Sequence, residues 1–131
     1  MIILDASAIA DWLLATPRLG NRVAAEIALD TDTHTLDFAW VEVASVVRRK
    51  YLAREITVAR AEQALDDLDQ APLVRHQATP LVTRVWQLRD SLTAYDAAYV
   101  ALAEALQSPL ITTDGGLARA QGHTADVRLV A

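Results

Sequence analysis

A three-layer α/β/α domain with a mostly parallel central sheet is the architecture this sequence predicts. Short apolar runs alternate with longer helical patterns along the whole chain, the rhythm of strands joined by helical crossovers that cover both faces of a sheet. The composition agrees: 53% of residues are hydrophobic but only 5% aromatic, so Ala, Val and Leu must do most of the packing, as in helix-rich α/β domains. At 131 residues there is enough chain to bury a core without disulfides or a structural zinc.

The elements follow in order. Ile2–Asp5 reads as the first strand and Ser7–Ala15 as the first helix, broken by Thr16-Pro17, with Arg18–Leu29 the next. The polar Thr31–Thr35 reads as a loop and Leu36–Phe38 as a short second strand. A long helical pattern follows, with Val43, Val46, Val47 and Tyr51 on one side and Glu42 in its first turns. Thr57 is the N-cap of a helix whose Ala61, Leu65 and Leu68 are apolar, while Glu62, Asp66, Asp67 and Asp69 form a solvated face. Leu73–His76 is the third strand, and Pro80 stands near the start of Thr79–Leu88, where a helix tolerates proline. Thr93 begins the helix Ala94–Leu106. Leu110–Thr113 is the fourth strand, Gly115-Gly116 a tight turn, Leu117–Ala120 a short helix and Val127–Val130 the last strand. With no internal repeat or linker, residues 1–131 read as one domain.

Several functions are excluded at this level. Cysteine is absent, which removes disulfides and thiol chemistry and fits a reducing, cytoplasmic compartment. The apolar N-terminus lacks a basic n-region and is interrupted by Asp5 and Asp11, so it is strand and helix rather than a signal peptide. No uncharged stretch approaches the roughly 20 residues needed to cross a bilayer. The net charge is −5 and the pI near 5.0, the opposite of a simple phosphate-backbone binder.

The acidic residues carry the chemistry. Asp5 and Asp114 stand at the C-terminal ends of the clearest strands, where open α/β sheets bind ligands, and Glu42 and Asp96 lie in amphipathic helices able to face the same crevice. Taken singly, each has a structural explanation: Asp5 and Asp114 cap helices, Thr93-x-x-Asp96 resembles a capping box, and Glu42 favours a helix dipole behind a cap at Asp37. Together they point to one metal site, since two like charges at about 4 Å repel by on the order of 4 kcal/mol at an effective dielectric of 20. Oxygen-only ligation suits Mg²⁺ or Mn²⁺. Zinc is disfavoured, because His34, His76 and His123 lack ligand spacing. Such a site lends itself to phosphodiester hydrolysis. Ser7, Thr112 and Thr113 either hold ligating carboxylates in place or serve as ordinary cap and turn residues.

On these motifs the sequence resembles the PIN-domain family, specifically the small VapC-type toxin ribonucleases of bacterial toxin–antitoxin pairs. The resemblance spans nearly the whole chain. It rests on Ile3-Leu4-Asp5-Ala6-Ser7, Val41-Glu42-Val43, the long stretch from Leu92 through Asp96 to Glu104, and Leu110-Ile111-Thr112-Thr113-Asp114. It implies Asp5, Glu42, Asp96 and Asp114 as catalytic metal-site residues, Mg²⁺- or Mn²⁺-dependent RNA cleavage, a homodimer, and a cognate VapB-type antitoxin that blocks the site. Many members carry a further acid shortly after the last aspartate, where this chain has Gly115, Gly116 and Leu117, so the number of ions is open.

RNA binding by an acidic protein needs local cations. Arg48, Arg49, Lys50 and Arg54, at the end of the Glu42 helix, are the best candidates for phosphate contacts, with Arg84, Arg89 and Arg119 behind them; a basic helix C-terminus in solvent explains the same cluster. A catalytically silent PIN domain that only binds RNA or an antitoxin is the alternative reading. Haloacid-dehalogenase-like phosphatases and phosphorelay receivers fit poorly, since Asp5-Ala6-Ser7 lacks an Asp-x-Asp pattern and no lysine follows Asp114.

Overall fold

The computed structural model describes residues 1–131. In chain order it comprises β1 Ile2–Leu4, α1 Ala6–Leu13, α2 Leu19–Leu29, β2 Thr33–Leu36, α3 Ala39–Leu52, α4 Val58–Gln70 and β3 Val74–His76. A 3₁₀ turn at Thr79–Leu81 leads into α5 Val82–Gln87, α6 Ala94–Leu106, β4 Leu110–Thr112, α7 Gly115–Arg119 and β5 Val127–Leu129. All strand pairings are parallel, in the order β3-β2-β1-β4-β5. The chain therefore leaves β1 toward one edge and returns to the other side of β1 through β4. Right-handed crossovers put α1 to α4 on one face and α5 and α6 on the other; accordingly α1 packs on α2 and α3, α3 on α4, and α5 on α6.

β1 and β4 are the buried centre of the sheet, with every residue of both strands inaccessible to solvent. α6 is buried continuously from Ala97 to Ala103, because it is apolar on nearly every side and lies between the sheet and α5. Thr93 caps it, its Oγ1 accepting from the Asp96 amide at 3.3 Å. Asp96 thus sits one residue before the buried run, where the helix meets the strand ends.

The second strand lies where the sequence suggested a loop. β2 is Thr33–Leu36 rather than Leu36–Phe38, and its polar side chains are buried because each finds a partner. Thr33 Oγ1 donates to Pro72 O at 3.2 Å and Thr35 Oγ1 to Leu4 O at 2.8 Å. His34 Nδ1 lies 2.8 Å from His76 Nε2, and His34 Nε2 lies 2.8 Å from Asp32 Oδ1, a chain that ties β2 to β3. Asp37 does not cap α3; its carboxylate accepts from the Ala78 amide at 3.3 Å, and Phe38 starts the helix without a side-chain cap. Gly115 and Gly116 form the first turn of α7 instead of a separate tight turn. Glycine suits that place, since a Cβ at Gly116 would lie 3.1 Å from the capping oxygen of Asp114.

Candidate active site

The order reversal between β1 and β4 opens a crevice at their C-terminal ends, the place where open parallel sheets bind ligands. Asp5 leaves β1 there and caps α1. Its Oδ1 accepts from the Ala8 amide at 2.8 Å and from Ser7 Oγ at 2.7 Å, and its Oδ2 accepts from Thr112 Oγ1 at 2.5 Å. Thr112 Oγ1 also accepts from the Asp114 amide at 3.0 Å, and Ser7 Oγ from the Thr113 amide at 3.2 Å. The two hydroxyls therefore stitch the end of β1 to the end of β4. Thr113 differs from expectation: its own hydroxyl turns away to donate to Asp11 Oδ2 at 2.7 Å.

The other carboxylates arrive from separate elements. Glu42, in the first turn of α3, accepts from the Tyr99 hydroxyl at 2.9 Å. Asp114 caps α7 through Oδ1, which takes the Gly116 amide at 2.8 Å and the Leu117 amide at 3.4 Å, leaving Oδ2 uncommitted. Asp96 does not complete a capping box: Thr93 caps the helix, and the Asp96 carboxylate makes no return bond to the Thr93 amide. All four acids line one cavity of about 420 Å³, together with Ser7, Val41, Ser45, Val46, Arg49, Tyr95 and Tyr99.

The acids lie close enough for their charges to act on one another, although burial is the larger influence on each. Burial pushes the Asp5 carboxyl up to about 6, against the lowering effect of its three donors, and the charge on Asp96 adds to the rise. Glu42 is raised by burial, lowered by the Tyr99 hydroxyl and raised again by Asp96 and Asp5. Asp96 is raised by burial and by Asp114, and lowered by the Thr93 hydroxyl. Tyr99 is raised, first by burial and then by the charge on Glu42, so it stays a hydrogen donor. These are oxygen anions held in a field that a cation would relieve.

The donor set fits a hard divalent ion. No thiol is present and no histidine lines the cavity. No three His or acidic side chains stand at the spacing of a closed coordination sphere. An ion in this cavity would therefore be held by only one or two carboxylates and keep several waters. His34 and His76 do meet, although their sequence spacing gave no sign of it, but they sit at the β2–β3 pair with Asp32, and His123 bonds locally to Ala120 O.

Of the basic cluster only Arg49 lines the cavity, on the same face of α3 as Glu42, Ser45 and Val46. Arg48 and Arg54 are exposed elsewhere, and Lys50 Nζ pairs with Glu55 at 3.5 Å. Arg84 is no phosphate candidate, because it is engaged by Glu104 at 2.8 and 2.9 Å between α5 and α6. Arg89 lies over the Trp86 ring at 4.5 Å, and Arg119 folds back beside Gly115. Tyr95 and Tyr99 were missed as site residues. Tyr99 stands three residues after Asp96, on the same helix face, which was the available signal; Tyr95, adjacent to it, gave none, and aromatic residues in an aliphatic helix read equally well as core.

Fold and cavity together define an α/β domain with an acidic pocket at the switch point of a parallel sheet. A family model of the PIN domain matches residues 2–122, and the chain belongs to that family. It is 39% identical to Ribonuclease VapC12 of Mycobacterium tuberculosis over 131 residues, the full length of both chains. It is 40% identical to Ribonuclease VapC3 of the same organism over 119 residues, 91% of this chain and 86% of the relative. Among solved structures, Mycobacterium tuberculosis VapC20, a Sarcin-Ricin loop cleaving toxin, superposes with a TM-score of 0.69 at 15% identity, over 90% of this chain and 93% of that one. That match shows the shared fold.

Proposed function

We propose that this protein is the endoribonuclease toxin of a toxin–antitoxin pair, hydrolysing RNA phosphodiester bonds in the cavity formed by Asp5, Glu42, Asp96 and Asp114. The observation that carries the reading is the convergence of four carboxylates, from four separate segments, on the crevice of a PIN domain. Full-length similarity to ribonucleases supports the choice of RNA as substrate.

Asp96, whose carboxylate is held by no group but the neighbouring Thr93 hydroxyl, and Asp114, through Oδ2, are the residues best placed to hold Mg²⁺ or Mn²⁺. Asp5 contributes from behind, fixed by Ser7, Thr112 and the Ala8 amide. When bound, the ion would polarise the scissile phosphate and make water a stronger nucleophile near neutral pH. Glu42 has one oxygen held by Tyr99, and the other would accept the proton of the attacking water. Arg49 supplies the cavity's positive charge, orienting the phosphate among carboxylates that would otherwise repel it. With a net charge of −5 there is little long-range attraction for RNA, so recognition rests on loop shape and unpaired bases.

A cognate VapB-type antitoxin would inhibit by covering this cavity, whose edge offers the exposed Val41. We assign the working protein to the cytoplasm and to a homodimer. No helix is long and apolar enough to cross a membrane.

The test is RNA cleavage with Mn²⁺ by the wild type and by Asp96→Asn. The variant should lose at least a hundredfold in rate while its Tm holds or rises, because the change relieves burial of charge and repulsion from Asp114, which outweigh the contact with the Thr93 hydroxyl. Calorimetric titration should show weaker Mn²⁺ binding. Wild-type protein that cleaves no RNA at any Mn²⁺ concentration would leave the silent-module reading in place.

A further inference from the structure

The cavity has an aromatic wall that the hydrolytic chemistry does not use. Tyr95 lines it immediately before Asp96, yet the side chain is 62% exposed. Burial does not hold it there. Its neighbour is Phe38, whose ring meets it edge-to-face with centroids 5.8 Å apart and planes at 76°. Phe38 is braced in turn by the buried Tyr99 at 5.7 Å and 67°. Three aromatic rings thus run from the core to the rim of the cavity, and the outermost packs on Phe38 while staying open to solvent. Exposed tyrosine at such a place is a surface for flat, apolar ligands. The other aromatic residue of the lining, Tyr99, is only 1% exposed and meets the cavity through its hydroxyl, and the remainder is carboxylate, hydroxyl, aliphatic side chains and the single guanidinium of Arg49, so Tyr95 alone offers an open aromatic surface.

Resting on the ribonuclease reading, we infer that Tyr95 is the stacking platform for one unpaired nucleobase next to the scissile phosphate. A phosphate drawn to Arg49 and the metal-site acids carries its flanking base about one nucleotide away, within reach of the rim. An acidic cavity gains little from backbone charge, so a sequence-tolerant stacking contact is the interaction it most needs to hold single-stranded RNA. Base–aromatic stacking is worth about 1–3 kcal/mol per base, or about 5- to 150-fold in affinity. The contact is made equally in substrate and transition state, so its loss should appear in KM more than in kcat.

The experiment uses a single-stranded RNA loop substrate carrying 2-aminopurine at each position around the cut in turn, with the wild type, Tyr95→Ala, Tyr95→Phe and Tyr95→Trp. Binding in Ca²⁺ is read by quenching of the fluorescent base, and cleavage in Mn²⁺ by KM and kcat. One position should be quenched by the wild type, Phe and Trp proteins and not by Tyr95→Ala. The Ala protein should raise KM by about 5- to 150-fold. Removing that base from the RNA should cost the wild type the same factor and cost Tyr95→Ala nothing further. Equal quenching and KM with Tyr95→Ala, or penalties from variant and abasic RNA that multiply, would overturn the platform while leaving the nuclease intact. If no protein cleaves RNA, the nuclease reading falls, and the quenching pattern still decides whether Tyr95 stacks on a base.

Discussion

Tyr99 is 1% exposed, packed among the apolar residues of α6, and its hydroxyl still reaches the cavity to donate to Glu42. The phenol donates to Glu42, with the Thr35 hydroxyl as its other polar neighbour, and so fixes the carboxylate it donates to. Tyr99→Phe keeps the ring and its contact with Phe38 and removes only this bond. The expected result is a roughly tenfold loss of kcat, the equivalent of about 1.4 kcal/mol, with Tm lowered by no more than a few degrees. Because the hydroxyl holds Glu42 down against burial, its removal should also move the acidic limb of the kcat–pH profile to higher pH. A kcat unchanged within twofold, with an unshifted profile, would make Tyr99 a packing residue alone.

Among the elements, the α1–α2 pair shows how tightly the first crossover is drawn. A Cβ at Gly20 would lie 2.5 Å from Asp11 O and 2.9 Å from the Ala15 carbonyl carbon, and these are backbone atoms that cannot rotate away. Gly20→Ala should therefore destabilise the protein by about 1–3 kcal/mol despite alanine's helix preference, a fall of several degrees in Tm by differential scanning fluorimetry; a rise would show that the helices can separate freely. Elements with local signals were legible in the sequence: α6 begins and ends where Thr93 and its aliphatic run foretold. β2 was not, because Thr33, His34 and Thr35 look like loop residues until their partners at Pro72, His76 and Leu4 are in place. The carboxylates of the site were legible for the same reason as α6, each standing at a recognisable strand end or helix turn. Which basic residue of α3 faces them was not, because that depends on the rotation of the helix against the sheet, set by long-range packing of Val43 and Val47.

For the molecule as a whole, the acidic cavity makes stability depend on pH and metal together. The Asp5 carboxyl titrates near 6 in the folded protein and near its ordinary 3.8 when unfolded, so the folded state binds more protons between those values. Stability from this group is therefore present below about 4 and is lost as pH rises toward 6, a penalty on the order of 3 kcal/mol that persists above it. Glu42 and Asp96 are raised too and act in the same direction. Glu104 opposes them only in more acid solution: Arg84 holds it down to about 2, so its contribution is present above 4.5 and disappears as pH falls toward 2. In EDTA, Tm should thus decline between pH 4.5 and 6.5, by on the order of 10 °C if Asp5 dominates. Asp5→Asn should flatten that slope. Divalent ion binds only the ionised carboxylates, and it stabilises by RT ln(1 + [L]/Kd). Millimolar Mn²⁺ should consequently leave Tm unchanged at pH 4.5 and raise it progressively toward pH 8, where the repulsion it relieves is greatest. Thermal scans from pH 4.5 to 8, with EDTA and with Mn²⁺, provide the check. A metal-induced shift that is the same at every pH would mean that the ion binds outside the carboxylate cavity.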